Sequence, residues 1–260
     1  MTFENLVVEA RDRWLEVTIQ RPKALNALDR RTMEELAAVT QQLQDGADLR
    51  GMILTGAGEK AFVAGADIGE LAELDPEQAT QFALRGQAVL TAIERSRRPV
   101  IAGVNGFALG GGCELALACH LRVLSKTARI GLPEVGLGVI PGFGGTQRLT
   151  RVVGLGRALE IILSGEMITA EEAFRIGFAN RIAEPAEVMD RCRDLARSID
   201  KRGPRAVSLA LQAAVQGIEM PLSEALAHEA AHFGLAAATA DWKEGTSAFL
   251  GKRTPEFTGR

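Results

Sequence analysis

Two carboxylates, Glu114 and Glu134, lie in the stretch from Asn105 to Gly145, each among mostly uncharged neighbours. Burying an acid without hydrogen-bond partners is costly, and it raises the pKa of the carboxyl group above its ordinary value of about 4.3. Two acids in different surroundings can divide the duties of general acid and general base. The pair therefore indicates proton-transfer chemistry. A structural role for Glu134, bonded to loop amides, is the alternative.

The glycines before Glu114 predict a place where a negatively charged oxygen can bind. Gly110, Gly111 and Gly112 precede a run of Leu and Ala that favours helix, so we expect a helix to begin near Gly111. The first N–H groups of a helix have no intrahelical partner, and the helix dipole is positive there. Glycine lets a ligand approach that backbone closely. The alternative is that the glycines only pack against a neighbour and that Glu114 is solvated.

Glu134 follows Pro133 and precedes the segment VGLGVIPGFGG, which contains five glycines. Such a segment is typical of a loop that runs close to other backbone. We therefore expect Glu134 to be partly buried, with a raised pKa.

Alternating patterns of strand and helix surround this stretch. The sequence predicts strands at residues 6–10, 14–19, 51–55, 100–104, 121–125 and 180–182. It predicts helices at 30–45, 76–94, 111–118, 155–163, 173–176, 186–199, 204–217 and 221–250. Strands and helices alternate up to about residue 195 and helices alone follow, so we expect an α/β core at 1–195 and a helical region at 196–260.

Composition excludes several classes of protein. The net charge of −3 and the isoelectric point near 5.8 give no basic field of the kind that nucleic-acid binding needs. Three cysteines without CxxC spacing support neither a disulfide framework nor a zinc knuckle. The first residues lack the apolar core of a signal peptide, so a cytoplasmic protein is expected. The longest uncharged run, at 99–113, has 15 residues, which is short of the roughly 18 apolar residues of a membrane span, so no transmembrane helix is expected.

The central stretch resembles the enoyl-CoA hydratase branch of the crotonase superfamily. The similarity lies in GFALGGGCELALACHL (106–121) and LPEVGLGVIPGFGGTQRL (132–149). It continues in family order through RPKALNAL (21–28), KAFVAGADI (60–68), SGEMITAEEAFRIGFAN (164–180) and DWKEGTSAFLGKRTPEF (241–257). The resemblance implies a crotonase-like spiral of strand-strand-helix repeats with a helical C-terminal region that builds trimers, often paired into hexamers.

The resemblance also implies the chemistry. Members of this branch add water to a 2-enoyl-CoA thioester to give 3-hydroxyacyl-CoA, as in fatty-acid β-oxidation. The backbone N–H groups at Ala66 and Gly111 are expected to hold the thioester carbonyl, which is an oxyanion hole. Glu114 is assigned to activate the water, and Glu134 to handle the proton at C2. A single water shared by both carboxylates is the alternative arrangement.

Further residues are implied to bind coenzyme A, which is part of the substrate, so no separate cofactor or metal is expected. These residues are Lys23, Ala24, Leu25, Ala64, Asp67, Ile68, Gly69, Phe233 and Lys252. Phe233 and Lys252 match the adenosine end, with the aromatic ring supplied by a neighbouring subunit. Gly69 departs from the family pattern, because many relatives carry lysine there, so one cationic contact to the phosphates is missing.

Other functions stay open. Within the superfamily the chain could be an enoyl-CoA isomerase or act on a branched acyl group, although isomerases often keep only the later glutamate. The segment His228-Glu229-Ala230-Ala231-His232 matches H-E-x-x-H, the pattern of a zinc hydrolase, but no third ligand follows it. The run 56–61 fits G-x-G-x-x-A, yet a helix does not follow at once. An RNA-binding relative is disfavoured by the acidic balance, and acyl chain length cannot be inferred from any motif.

Overall fold

The computed structural model describes residues 3–260, so residues 1 and 2 of the predicted core lie outside the described part. The strands within it are β1 (Leu6–Arg11), β2 (Trp14–Ile19), β3 (Gly51–Gly56), β4 (Ala61–Val63), β5 (Val100–Val104), β6 (Phe107–Leu109), β7 (Leu121–Ser125), β8 (Arg129–Gly131), β9 (Ile168–Thr169) and β10 (Arg181–Ala183). The helices are α1 (Arg30–Asp45), α2 (Ile68–Ala72), α3 (Pro76–Glu94), α4 (Gly111–Ala118), α5 (Gly145–Val153), α6 (Leu155–Ser164), α7 (Ala170–Arg175), α8 (Val188–Asp200), α9 (Pro204–Gly217), α10 (Leu222–Ala237) and α11 (Ala240–Leu250).

The strands form two sheets. The larger has the order β1-β2-β3-β5-β7-β10, and every neighbouring pair in it is parallel except the antiparallel pair β1 and β2. The smaller has the order β4-β6-β8-β9, in which only β9 is antiparallel to its neighbour. All residues of β3 and β5 are buried, as expected for parallel strands covered on both faces.

The two sheets arise from a repeated unit. β3, β5 and β7 of the large sheet are each followed by a short strand of the small sheet, β4, β6 and β8, and then by helix. The predicted architecture of strand-strand-helix repeats is therefore confirmed. Sequence patterns missed the three short strands, because three residues are too few to show a period.

The core consists of two groups of buried side chains. The larger lies between the sheets and helices and includes Cys113 and Cys119, while the smaller lies between the large sheet and α8 and includes Cys192. All three cysteines are buried and free, and burial raises the pKa of Cys119 and Cys192 to about 12. They act as small packing groups, as the sequence predicted.

The C-terminal part is helical, but the single helix predicted for residues 221–250 is wrong. The chain turns at Thr239, whose hydroxyl accepts a hydrogen bond from the Trp242 N–H at 3.1 Å and starts α11 as a new helix. α2 and α5 were also missed, because α2 is short and α5 opens with glycines. Residue 195 lies inside α8, and the division into 1–195 and 196–260 stays a prediction.

No helix in the described residues is long and apolar enough to cross a membrane. The cytoplasmic location stays a prediction.

Candidate active site

Both predicted carboxylates line one cavity of about 920 Å³, and so do both predicted oxyanion residues. Ala66 follows β4, Gly111 begins α4, Glu114 lies in the first turn of α4, and Glu134 lies in a 3-10 helix after β8. The chain brings them together because β3 and β5 are adjacent parallel strands, so the segments after them leave at the same edge. The rest of the cavity wall comes mainly from α3 and residues 137–148.

The amide groups of Ala66 and Gly111 are neighbours. A Cβ added to Gly111 would lie 3.4 Å from the Ala66 nitrogen. Ala66 lies opposite Leu28 in an isolated parallel bridge. The bonds of this bridge join Leu28 to the residues on either side of Ala66, because the Leu28 N–H donates to the Gly65 carbonyl and the Asp67 N–H donates to the Leu28 carbonyl, both at 2.9 Å. The Ala66 N–H takes part in neither bond. In the described residues neither the Ala66 N–H nor the Gly111 N–H has an acceptor. Two unpaired donors therefore stand side by side at the cavity wall.

Gly112 determines how closely α4 approaches the other loop. A Cβ at this position would lie 2.0 Å from the Val63 carbonyl oxygen, so only glycine lets the helix pack on the end of β4. Val63 is three residues before Ala66. This close contact brings the start of α4 against the loop that carries the Ala66 amide.

Glu114 is held rigidly. Its side chain is buried, and Oε1 accepts hydrogen bonds from the Phe143 N–H at 2.8 Å and the Gly145 N–H at 2.7 Å. Burial raises the pKa of this carboxyl group to about 7, and the charge of Glu134 adds to the increase, while the two amides oppose it. The group can therefore gain and lose a proton near neutral pH.

Glu134 is held loosely by comparison. Its Oε2 is buried without a hydrogen-bond partner in the described part of the chain, although the residue as a whole is half-buried. A Cβ on Gly110 would lie 3.1 Å from Oε1, so this glycine makes room for the carboxylate beside the start of α4. Burial raises the pKa of Glu134, as the sequence predicted. An unpaired buried oxygen needs a water or a ligand.

Sequence patterns missed the group that supports Glu114 from behind. The Arg148 side chain donates to the Phe143 carbonyl at 2.8 Å and to Glu94 Oε2 at 3.0 Å and 2.8 Å. Phe143 is the residue whose N–H holds Glu114, so Arg148 fixes the loop that fixes the acid. In the sequence this group is visible only as an arginine one helical turn after GFGG, and nothing in the sequence indicates that its side chain bonds to Phe143 and Glu94.

Of the predicted coenzyme A residues, Ala64 and Ile68 line the cavity. The turn Lys23–Leu25 is joined to this wall, because the Ala64 N–H donates to the Leu25 carbonyl at 3.1 Å. Asp67 Oδ1 accepts from the Gly69 N–H at 3.1 Å, and its other oxygen lies 3.4 Å from an Arg21 nitrogen. Gly69 itself is exposed. The roles of these residues in binding stay predictions.

Phe233 and Lys252 do not reach the cavity of their own chain. Phe233 lies on α10, is 64% exposed and meets Trp242 edge to face at 5.1 Å between ring centroids. Lys252 is exposed just after α11. Their position agrees with a contribution from a neighbouring subunit, which a single chain does not test.

Neither competing motif forms its predicted site within the described residues. His228 and His232 lie one turn apart on α10, with ring centroids 4.2 Å apart, and His232 Nδ1 lies 3.0 Å from the His228 carbonyl oxygen. Within residues 3–260 no group of three or more His, Cys, Asp or Glu side chains could hold a metal ion. The run 56–61 leads into β4 rather than into a helix.

Comparisons with known proteins agree with this geometry. The sequence model of the enoyl-CoA hydratase/isomerase family matches residues 9–260. The short-chain-enoyl-CoA hydratase of Clostridium acetobutylicum is 45% identical over 98% of both chains, and the crotonyl-CoA hydratase of Syntrophomonas wolfei is 44% identical over the full length of both. The crystal structure of an enoyl-CoA hydratase from Bacillus anthracis superimposes with a TM-score of 0.95 at 39% identity, covering 99% of this chain and all of that one. With its crotonase fold and its resemblance along nearly the whole sequence both confirmed, this chain belongs to the enoyl-CoA hydratase/isomerase family.

Proposed function

We propose that this protein is an enoyl-CoA hydratase, a hydro-lyase that adds water across the double bond of a 2-enoyl-CoA to give 3-hydroxyacyl-CoA. The observation that carries the proposal is the single cavity in which two unpaired amides and two carboxyl groups of raised pKa meet. The names of the relatives support it. We place the reaction in acyl-CoA breakdown, such as fatty-acid β-oxidation.

The amides of Ala66 and Gly111 take the thioester oxygen in this mechanism. They stabilise the negative charge that grows on this oxygen while the double bond is attacked. One such donor typically lowers the activation free energy by about 3 to 4 kcal/mol. The start of α4 adds its positive dipole in the same place. Neither donor must give up a hydrogen bond to another group of the described residues, since both are unpaired there.

The two carboxyl groups then handle the water. Glu114 accepts a proton from the water as its oxygen bonds to C3, and Glu134 supplies the proton that C2 receives. The unpaired Oε2 of Glu134 supports this assignment, because in the protonated carboxyl group this oxygen can carry the proton that C2 receives. A water shared by both carboxylates also fits. The charge of Glu134 raises the pKa of Glu114, so the two groups are close enough to act on one water.

We propose a short acyl chain. Phe82 and Phe143 form an aromatic wall with ring centroids 5.2 Å apart, but Gln87, Thr91 and the Glu94–Arg148 pair also line the cavity. Burying a long alkyl chain against such polar groups is unfavourable. The relatives named for short-chain and crotonyl substrates support the same choice.

We propose a trimer, or a hexamer of two trimers, built through the C-terminal helices. Leu222, Phe249 and Leu250 are 75%, 83% and 82% exposed in the single chain. Apolar surface of this kind usually marks an interface. In such an assembly Phe233 and Lys252 would serve the coenzyme A site of a neighbour.

A hydration assay tests the proposed function. The purified protein is mixed with crotonyl-CoA, and loss of the conjugated double bond is followed by absorbance. The mass of the product is measured by mass spectrometry. A gain of one water supports hydration, whereas conversion of a 3-enoyl-CoA to its 2-enoyl isomer at a higher rate than hydration would make the chain an isomerase. The double variant Glu114→Gln/Glu134→Gln, purified in parallel, must be inactive, or the activity belongs to a contaminant. A panel of acyl chain lengths tests the short-chain proposal.

A further inference from the structure

A second cavity, of about 310 Å³, opens at the opposite edge of the large sheet. β2, β3 and β5 are parallel and begin here, at Trp14, Gly51 and Val100, whereas the candidate active site follows their other ends. The wall is completed by the end of α8, the start of α9 and the tail at Thr258 and Gly259. The two cavities have no lining residue in common.

Arginine dominates the lining of this cavity. Six arginines contribute to it, and the acidic members are Asp48 and Asp200. The arginines are Arg13, Arg50, Arg97, Arg98, Arg202 and Arg205. The cavity is therefore positively charged although the whole chain carries a net charge of −3.

One of these arginines has a structural task. Arg98 donates to the carbonyl groups of Leu43, Gln44 and Gly46 at the end of α1. The other five guanidinium groups make no hydrogen bond and no ion pair within residues 3–260. Asp48 and Asp200 do not balance the positive charge, because two carboxylates face six guanidinium groups. Both oxygens of Asp200 also accept from Trp14 Nε1, at 3.1 Å and 3.0 Å.

Like charges are held close together here. The pKa of Arg50 is lowered, first by burial and then by the charge of Arg13, although Asp200, Asp241 and Asp48 act in the opposite direction. The pKa of Arg98 is likewise lowered, first by burial and then by the charge of Arg97, with Asp45 acting in the opposite direction. An anion placed between the guanidinium groups would remove this repulsion.

A helix start adds to the positive potential. α9 is 14 residues long, begins at the cavity with Pro204 and Arg205, and has neither an acidic residue in its first turn nor a side-chain cap. The carboxylate of Asp241 lies close to Gly203, which precedes α9, and its oxygens accept from the N–H groups of Thr258 and Gly259. Because Pro204 has no N–H, the groups available to an anion here are the N–H groups of Arg205 and Ala206, for which the described residues provide no acceptor.

We propose that this arginine cavity binds a compact anion with two linked negative groups, of which pyrophosphate is the simplest and the diphosphate of a nucleotide the larger form. Several guanidinium groups around one small cavity match the oxygen geometry of linked phosphates better than a single charge. The cavity is too small for a folded polymer and its walls are not apolar enough for a lipid tail.

The fluorescence of Trp14 can report binding in this cavity. It has two tryptophans and no tyrosine, and Trp14 is bonded to Asp200 in the wall of the cavity. In a Trp242→Phe variant the fluorescence therefore comes from Trp14 alone. Pyrophosphate is titrated into this variant at constant ionic strength, with sodium chloride as the matched salt, and calorimetry gives the stoichiometry.

We expect one saturable site per chain. Arg50→Ala and Arg205→Ala, each made in the Trp242→Phe background, should weaken pyrophosphate binding by about ten-fold or more, since each removes a charged hydrogen-bond donor. Arg85→Ala is the matched control, because Arg85 is exposed on α3 and also lacks a side-chain partner in the described residues. Tighter binding of ADP than of pyrophosphate, with the ADP affinity also lowered by Arg50→Ala and Arg205→Ala, would identify the nucleotide form, and the reverse order would identify the free anion.

Two results would overturn the proposal. The first is a linear fluorescence change that sodium chloride reproduces at the same ionic strength. The second is equal weakening by Arg85→Ala, which would show that only net charge matters. Because Arg205 is exposed, its variant should keep the thermal unfolding midpoint of the parent, and loss of binding in it then reports the site rather than the fold.

Discussion

The two sides of the candidate active site differ in how they hold the same kind of side chain. On one side Glu114 is buried in α4, and two amides of a loop packed against it bond one carboxylate oxygen. On the other side Glu134 lies in the short 3-10 helix Pro133–Leu137, and residues 136–140, at its end and just after it, are exposed. One oxygen of Glu134 has no partner in the described residues.

This difference shows how one residue type can serve two purposes. A carboxylate with fixed bonds keeps its direction, whereas a carboxylate with a free oxygen can take a new partner during the reaction. The glycines follow the same division. Gly112 is pressed against the backbone of Val63, while a Cβ on Gly136 would have nothing within 4 Å.

Removing either acid should have the largest effect. We expect Glu114→Gln and Glu134→Gln each to bind enoyl-CoA nearly normally but to hydrate crotonyl-CoA at least ~10²-fold more slowly, because each loses a positioned proton-transfer group. Steady-state kinetics with separate binding measurements check this. Near-normal turnover in either variant would remove that residue from the mechanism.

The packed and open sides should respond differently to an added methyl group. Gly112→Ala should lower the free energy of unfolding by about 3 kcal/mol, because a Cβ at 2.0 Å from the Val63 oxygen forces the backbone to move, despite the better helix propensity of alanine. Gly136→Ala is the matched control and should change stability by less than about 0.5 kcal/mol. Denaturant unfolding measures both, and equal effects would mean that the two sides do not differ in packing.

The pH dependence of stability should separate the two acids. The pKa of Glu114 is about 7 in the folded chain against 4.5 ordinarily, so the unfolding free energy falls as pH rises between these values, by about 3 kcal/mol. Glu114→Gln removes this loss and should be more stable than the parent above pH 7, with no such advantage at pH 4. Denaturation at several pH values tests it, and a parallel pH curve for the variant would contradict the raised pKa.

A variant at Arg148 should show how far the position of Glu114 depends on the hydrogen bond from Arg148 to the Phe143 carbonyl. We expect Arg148→Met to lower kcat by about ten-fold with little change in KM, because the Phe143 carbonyl and Glu94 lose one charged donor. Arg151→Met is the control, since Arg151 lies one turn later at the cavity and bonds only to Gln147. Equal losses in the two variants would argue for a general charge effect.

Much of the fold could be predicted from sequence because the signals are local. The capping residues Asp29 and Asp75 marked α1 and α3, and the apolar runs before Asn105 and at residues 121–125 marked β5 and β7. The break between α10 and α11 was missed, because the apolar spacing continues through Thr239 while a single hydroxyl starts the new helix.

The site was predictable in part. The motif identified Glu114, Glu134, Ala66 and Gly111, and the chain does bring these four to one cavity, although their roles stay predictions. The partners of Glu114 were not predictable, because the Phe143 and Gly145 amides are backbone groups that any residue offers. The arginine cavity was not predictable either, since its members come from five separate segments of the chain.

The three buried cysteines allow the rate of local opening to be measured in two parts of the protein. Cys113 and Cys119 lie in the larger core group and Cys192 in the smaller, and none is accessible to solvent in the folded chain. An alkylating reagent therefore reacts with each thiol only when the surrounding segment opens. Mass spectrometry of the labelled peptides would thus give a separate opening rate for α4 and for the layer beneath α8.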